Sequence, residues 1–71
     1  DPADARFIGA PIDYIIFDGY TAVKDSKEDV PITVILADVK TGEARLSRTE
    51  RKIKEAVEEG RVRWETIRLD L

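Results

Sequence analysis

The sequence predicts a small α/β fold of the α+β kind: a mixed sheet of three to four strands with one main helix. Three observations predict it. Two short runs, "IDYIIFDGY" and "ITVILADVK", are dense in β-branched and aromatic residues, the composition of strands. A later stretch, "LSRTERKIKEAVEEG", carries the start, stripe and stop signals of a helix. The 71 residues have room for one domain only.

In chain order, "DPADARFIGAP" comes first. It contains Pro2, Gly9 and Pro11 and reads as a loop or arm. Residues 12–18 read as the first strand. Asp18-Gly19 is a turn signal, which places a short hairpin partner at 20–23. "KDSKED", residues 24–29, reads as an exposed charged loop. After Pro31, the run 32–40 is apolar on both faces, with Ile35, Ala37 and Val39 on one and Ile32, Val34 and Leu36 on the other. That pattern predicts a central strand covered on both sides.

Ser47 and Glu50 have the S-x-x-E spacing of a capping box, so the main helix is expected to begin there. Ile53, Ala56 and Val57 form its buried stripe, and Gly60 suits the residue just past its end. "RVRWETIRL" then alternates as a last strand, with Val62 and Trp64 opposite Arg61 and Arg63. Its phase slips at Ile67 and Leu69, which a bulge near Glu65-Thr66 or burial on both faces would explain. Tyr14, Phe17 and Trp64 are expected in the core, and Phe7 in the core or a dimer contact.

Composition excludes several chemistries. The chain has no cysteine and no histidine, so it forms no disulfide, no Cys/His zinc site and no Cys- or His-based catalytic triad. Any bound metal must take oxygen ligands, which favours Mg²⁺ or Mn²⁺, with Ca²⁺ also open. The chain also lacks Asn, Gln and Met, and 38% of it is charged, a composition that fits a thermophile as well as chance in a short chain. With Asp1 in place of an initiator Met, the expectation is a trimmed piece of a longer protein. No signal peptide or membrane span is visible, so a cytoplasmic location is expected.

The net charge of −3 hides an asymmetry. Residues 1–39 carry −5 and residues 40–63 carry +3. The acidic part could gather a cation and the basic part could face phosphates; a salt-bridged helix surface accounts for the same charges.

Strand alternation puts Asp38 and Lys40 on one face, two residues apart. A carboxylate there can hold a divalent cation, with the Val39 carbonyl between them as a second ligand. The Lys40 ammonium can position a water and offset charge on a phosphate. Asp13, at the start of the first strand, supplies a second carboxylate. On D-x-K alone, a strand-end ion pair is the simpler account. Arg48, Arg51 and Lys52, near the start of the helix, are the candidate phosphate contacts, with a solvated helix face as the alternative; Arg6 is a further candidate for DNA contact.

An apolar strand ending in D-x-K, an earlier Pro-x-Asp and a following basic helix form an ordered set. It resembles the PD-(D/E)xK nuclease superfamily, with Asp13, Asp38 and Lys40 at the three signature positions. The longer stretches "DPADARFIGAPIDYIIFDGY", "ILADVKTG" and "LSRTERKIKEAVEEGRVRWETIRL" resemble the archaeal endonuclease family related to Holliday junction resolvases. That resemblance covers nearly the whole chain apart from 24–30.

It implies a minimal restriction-endonuclease-like core in residues 1–71. It also implies Mg²⁺- or Mn²⁺-dependent hydrolysis of DNA phosphodiesters, with branched DNA as a candidate substrate. Asp13 and Asp38 would be metal ligands and Lys40 the catalytic lysine, and symmetric cutting of two strands implies a homodimer. Two departures stand beside it. Superfamily members usually place a helix with a further acidic residue before the first core strand, and here only Asp1 and Asp4 precede it. Where relatives usually show Gln, often near the active site, this chain has Glu50; the capping box explains it by structure, and pointing into the site it would add negative charge beside the metal. The first departure motivates an alternative, a non-catalytic DNA- or protein-binding module of the same fold. An unrelated interaction domain, with Asp38 and Lys40 only an ion pair, is the third reading.

Overall fold

The computed structural model describes residues 1–26 and 29–70. A 3₁₀ turn, Pro2–Asp4, leads into strand β1 (Ala5–Phe7), then β2 (Tyr14–Asp18), helix α1 (Tyr20–Ser26), β3 (Thr33–Ala37) and helix α2 (Arg48–Glu58). The three strands form one antiparallel sheet in the order β1-β2-β3. The fold is thus the small α+β arrangement expected, with two helices rather than one.

The N-terminal stretch is more ordered than its Pro and Gly content suggests. Asp1 caps the 3₁₀ turn by accepting from Ala3 N at 2.9 Å, and residues 5–7 then pair with β2, Phe7 opposite Tyr14. The Phe7 and Tyr14 rings meet edge to face at 5.5 Å. Neither ring is buried: Tyr14, expected in the core, is 37% exposed, and Phe7, expected in the core or a dimer contact, is 71% exposed and not in the core.

The hairpin partner expected at 20–23 is instead the start of α1. Asp18-Gly19 does turn the chain, and Gly19 takes φ +97°, where a side chain would be strained and would meet the Pro31 carbonyl at 3.0 Å. The helix after the turn is held by a residue distant in sequence. The Asp4 carboxylate accepts from the Thr21 backbone N–H at 2.8 Å and from the Thr21 hydroxyl at 2.5 Å. A free donor of the first helical turn is thereby satisfied by a residue 17 positions away. Of the charged loop expected at 24–29, Lys24–Ser26 belong to the last turn of α1, and positions 27 and 28 lie outside the described residues.

The run expected to be the central strand is an edge strand. β2 lies in the middle, and β3 pairs only with it. Thr33, Val34 and Ile35 are exposed, Val34 by 51%. The apolar pattern on both faces anticipates cover that this chain does not bring to that end of β3.

α2 has the expected ends. Ser47 Oγ accepts from Glu50 N at 3.1 Å, and Glu50 Oε1 accepts from Ser47 N at 2.7 Å, completing the capping box. At the other end Gly60 N donates to Val57 O (3.1 Å) and Arg61 N to Ala56 O (2.7 Å), with Gly60 at φ +73°. These two bonds are a Schellman motif, and they fix where the helix stops. Beyond it, residues 61–70 form no strand. The strand expected over "RVRWETIRL" is therefore absent, and Trp64, expected in the core, is 88% exposed. Alternation marks a segment able to pair, but pairing needs a partner edge, and none meets it here.

Burial is sparse. Ile12, 8% exposed, is the one buried hydrophobic among the described residues. Between α2 and the end of β3 runs an open apolar groove of about 320 Å³, lined by Ile12, Leu36, Leu46, Ile53 and Val57. The radius of gyration is 15.1 Å, against about 11 Å for a compact chain of this length. No helix among the described residues is long and apolar enough to cross a membrane.

Candidate active site

The end of β3 carries the candidate site. The chain leaves the sheet after Ala37, so Asp38, Val39 and Lys40 lie just beyond the strand rather than within it. Asp13 stands just before β2, whose first residue, Tyr14, pairs with Ala37. Asp13 and Asp38 thus flank the same rung of the sheet. The carboxylate of Asp13 reaches across, and its Oδ2 accepts from Val39 N at 2.7 Å. Its backbone carbonyl accepts from Ile8 N at 2.7 Å and from Gly9 N at 3.3 Å, which holds the loop between β1 and β2 against it.

Lys40 is the centre of charge. Its Nζ lies 2.5 Å from Asp38 Oδ2 and 3.1 and 3.2 Å from the two Glu50 oxygens. The Asp38 carboxylate first, and Glu50 second, raise the lysine above its ordinary pKa, so it is an ammonium at neutral pH. Glu50 is held below the usual carboxylate range, mainly by the Ser47 backbone N–H and next by Lys40. Asp38 Oδ2 is enclosed, and the Lys40 ammonium is the donor it faces. A carboxylate paired with an ammonium at the end of a strand is a ligand a hard cation can also take.

Asp13, Asp38, Val39 and Lys40 therefore meet at one place. Among the described residues no group of three or more acidic side chains is arranged to hold a metal ion. What the site presents is a pair of aspartates, the Val39 backbone N–H and an ammonium. Arg48, Arg51 and Lys52 are exposed near the start of α2, on the stretch that carries Glu50. Arg51 Nη1 donates to Leu46 O at 3.2 Å, and Lys52 pairs loosely with Glu55 at 3.9 Å. Arg6 is occupied elsewhere: Nη1 donates to the Ala3 and Ala5 carbonyls, and the guanidinium lies over the Tyr20 ring at 5.6 Å.

The sequence explains Glu50 by helix capping alone. It does cap, and the same carboxylate also contacts Lys40. The signal for that second contact is the resemblance, which puts Glu50 at the position where relatives show a Gln near the site. Asp4 is the reverse case. It is buried, 4% exposed, but its bonds go to Thr21, so it supports α1 and has no part in the site.

A family model described as an endonuclease related to archaeal Holliday junction resolvase matches residues 1–69. No curated protein and no solved structure matches the chain.

Proposed function

This chain belongs to the family of endonucleases related to the archaeal Holliday junction resolvase, and from that premise we propose that it is a Mg²⁺- or Mn²⁺-dependent DNA endonuclease acting on branched DNA. The observation that carries the reading is the meeting of Asp13, Asp38 and the Lys40 ammonium at the end of β3. The donor set, all oxygen, suits a hard cation.

Asp13, Asp38 and the Val39 carbonyl would hold the ion. Asp13 gives one carboxylate oxygen to Val39 N, so its other oxygen is the one available to a cation. When bound, the cation supplies Lewis-acid polarisation of the scissile phosphate and lowers the pKa of a coordinated water. Lys40, held protonated by its two carboxylates, does not take a proton from water in its resting state. Its role is to orient the attacking water and offset negative charge on the phosphate. Glu50 holds the ammonium from the helix side. Arg48, Arg51 and Lys52 supply exposed positive charge to flanking phosphates. Cutting two strands of a junction symmetrically calls for two copies about a two-fold axis, so the reading includes a homodimer.

A second reading is a non-catalytic DNA-binding module of this fold. It is favoured by Lys40, which already neutralises Asp38, and by the lack of a three-carboxylate cluster among the described residues. The two part on one assay. Four-way junctions and linear duplex are incubated with the protein in Mg²⁺, Mn²⁺ or EDTA. Cleavage that needs metal and is lost in Asp38→Ala and Lys40→Ala supports the nuclease. Binding without cleavage in every metal supports the module.

A further inference from the structure

Residues 61–69 are an arm without a partner. Their apolar side chains are more open to solvent than any on the sheet except Phe7: Trp64 by 88%, Ile67 by 81%, Leu69 by 76% and Val62 by 61%. The side-chain hydrogen bonds are local, Arg63 to Glu65 and Trp64 Nε1 to Thr66 Oγ1. Among the described residues, no backbone hydrogen bond joins 62–70 to the sheet. The Schellman motif at Gly60 stops α2 and releases the arm, and the large radius of gyration shows that the chain does not close over it.

The body of the molecule has a matching vacancy. The outer edge of β3 is unpaired, and the apolar groove beside it, between α2 and the strand end, is open. An extended arm of this length reaches about 30 Å, longer than the roughly 17 Å of a five-residue strand. Charge also matches. The arm carries Arg61, Arg63, Arg68 and Glu65, a net of +2. The charged groups lining the groove are Asp38, Glu50, Lys54 and Glu58, and with Lys40 counted beside Asp38 the sum is −1.

We propose that the arm of one copy docks on a second copy of this chain, adding a strand to its β3 edge and placing apolar side chains in its α2 groove, with the exchange made reciprocally about a two-fold axis. Each part of the observation finds its counterpart. The arm's free N–H and C=O groups gain a ladder, and an edge that would otherwise invite indiscriminate pairing is closed. A stable interface needs ~1,600 Å² in total, which is why the exchange is reciprocal, with two arms and two grooves contributing. The alternation in "RVRWETIRL" then describes a real strand whose partner edge belongs to another molecule. This deepens the two-copy part of the proposed function and rests on it only for its purpose; the contact stands or falls apart from the chemistry.

Trp64 is the one tryptophan in the chain and reports on the arm directly. Sedimentation and tryptophan emission are followed together over a dilution series of the wild-type protein, and of Ile67→Asp and Leu69→Asp, with circular dichroism to check that α2 persists. The expected result is a species of twice the 8.0 kDa chain mass whose formation coincides with a blue shift of the emission. Both aspartate variants are expected to weaken that association at least tenfold and keep red, water-exposed emission. A monomer at every concentration overturns the proposal, whether its emission is blue, with the arm folded onto its own sheet or groove, or red, with the arm free. A dimer whose tryptophan stays exposed also overturns it, because the interface then lies elsewhere. Junction cleavage assayed on the same samples keeps the two readings apart, since a dimer that does not cut defeats only the nuclease and a monomer that cuts defeats only the arm exchange.

Discussion

Two carboxylates, Asp4 and Asp38, are both withdrawn from solvent at the ends of short elements, and they have opposite characters. Asp4 is satisfied. Its Oδ1 takes two hydrogen bonds from Thr21, and the Thr21 hydroxyl is the main cause that lowers its pKa. Asp38 is paired with a charge instead. Its enclosed oxygen faces the Lys40 ammonium, which it shares with Glu50. A carboxylate taken out of water is therefore not by itself a mark of chemistry. The distinguishing feature is the partner: Asp4 binds donors that hold a helix in place, and Asp38 binds a side-chain cation at the end of a strand.

The largest effect that separates the two belongs to the site. Lys40→Ala and Asp38→Ala are each expected to lower the rate of junction cleavage by about 10²-fold or more, while circular dichroism and the melting temperature stay near wild type. A variant that lost cleavage only by unfolding would erase the contrast with Asp4. Glu50→Gln keeps an acceptor for the Ser47 N–H but removes the charge beside Lys40. Its expected loss is smaller, about tenfold, with little change in melting temperature.

Asp4→Ala is expected to act the other way. It leaves two Thr21 donors without their partner, so thermal denaturation should show a lower melting temperature and frayed α1, with cleavage by the folded fraction retained. Ser47→Ala removes half of the capping box and is expected to cost about 1 kcal/mol, roughly 4–8 °C in a domain of this size.

The pH dependence comes from the same groups. Asp4 and Glu50 have lowered pKa values in the folded state. The stability they contribute is present above their ordinary values, 3.8 and 4.5, and is lost as pH falls through the lowered ones. Lys40 is raised from 10.5, so its contribution is full below that value and is lost as pH rises through the raised one. Melting temperature against pH should therefore be flat near neutrality and fall at both ends. Asp4→Asn, which keeps a carbonyl acceptor but does not titrate, should make the acid limb shallower.

The two regions also differ in how legible they are in the sequence. Around Asp38 the local pattern is enough to mark the candidate residues, though not the reach of Asp13 to Val39 N, 26 positions on. The apolar run, the D-x-K spacing, the Pro-x-Asp and the capping box are all short-range signals, and the family match over residues 1–69 agrees with the resemblance those stretches carry. Around Asp4 it is not. The Asp18-Gly19 turn is legible, but the helix after it depends on a carboxylate 17 residues before Thr21, which no local propensity encodes. β3 misleads for a related reason. Its residues are apolar on both faces, which signals that something covers them, but the pattern does not say whether the cover is in the same molecule. "RVRWETIRL" has the same ambiguity from the other side, a strand pattern that joins no edge in this structure. Glu50 shows that one side chain can satisfy two demands, so that capping does not exhaust its role.

The most direct measurement is the single-turnover cleavage of a four-way junction in Mn²⁺ by wild type, Asp38→Asn and Asp4→Asn side by side. Both substitutions remove one carboxylate charge and keep the shape of the side chain. Asp38→Asn is expected to lose the metal-dependent cleavage, while Asp4→Asn cuts at close to the wild-type rate. Cleavage by Asp38→Asn at the wild-type rate would contradict the assignment of Asp38 to the metal.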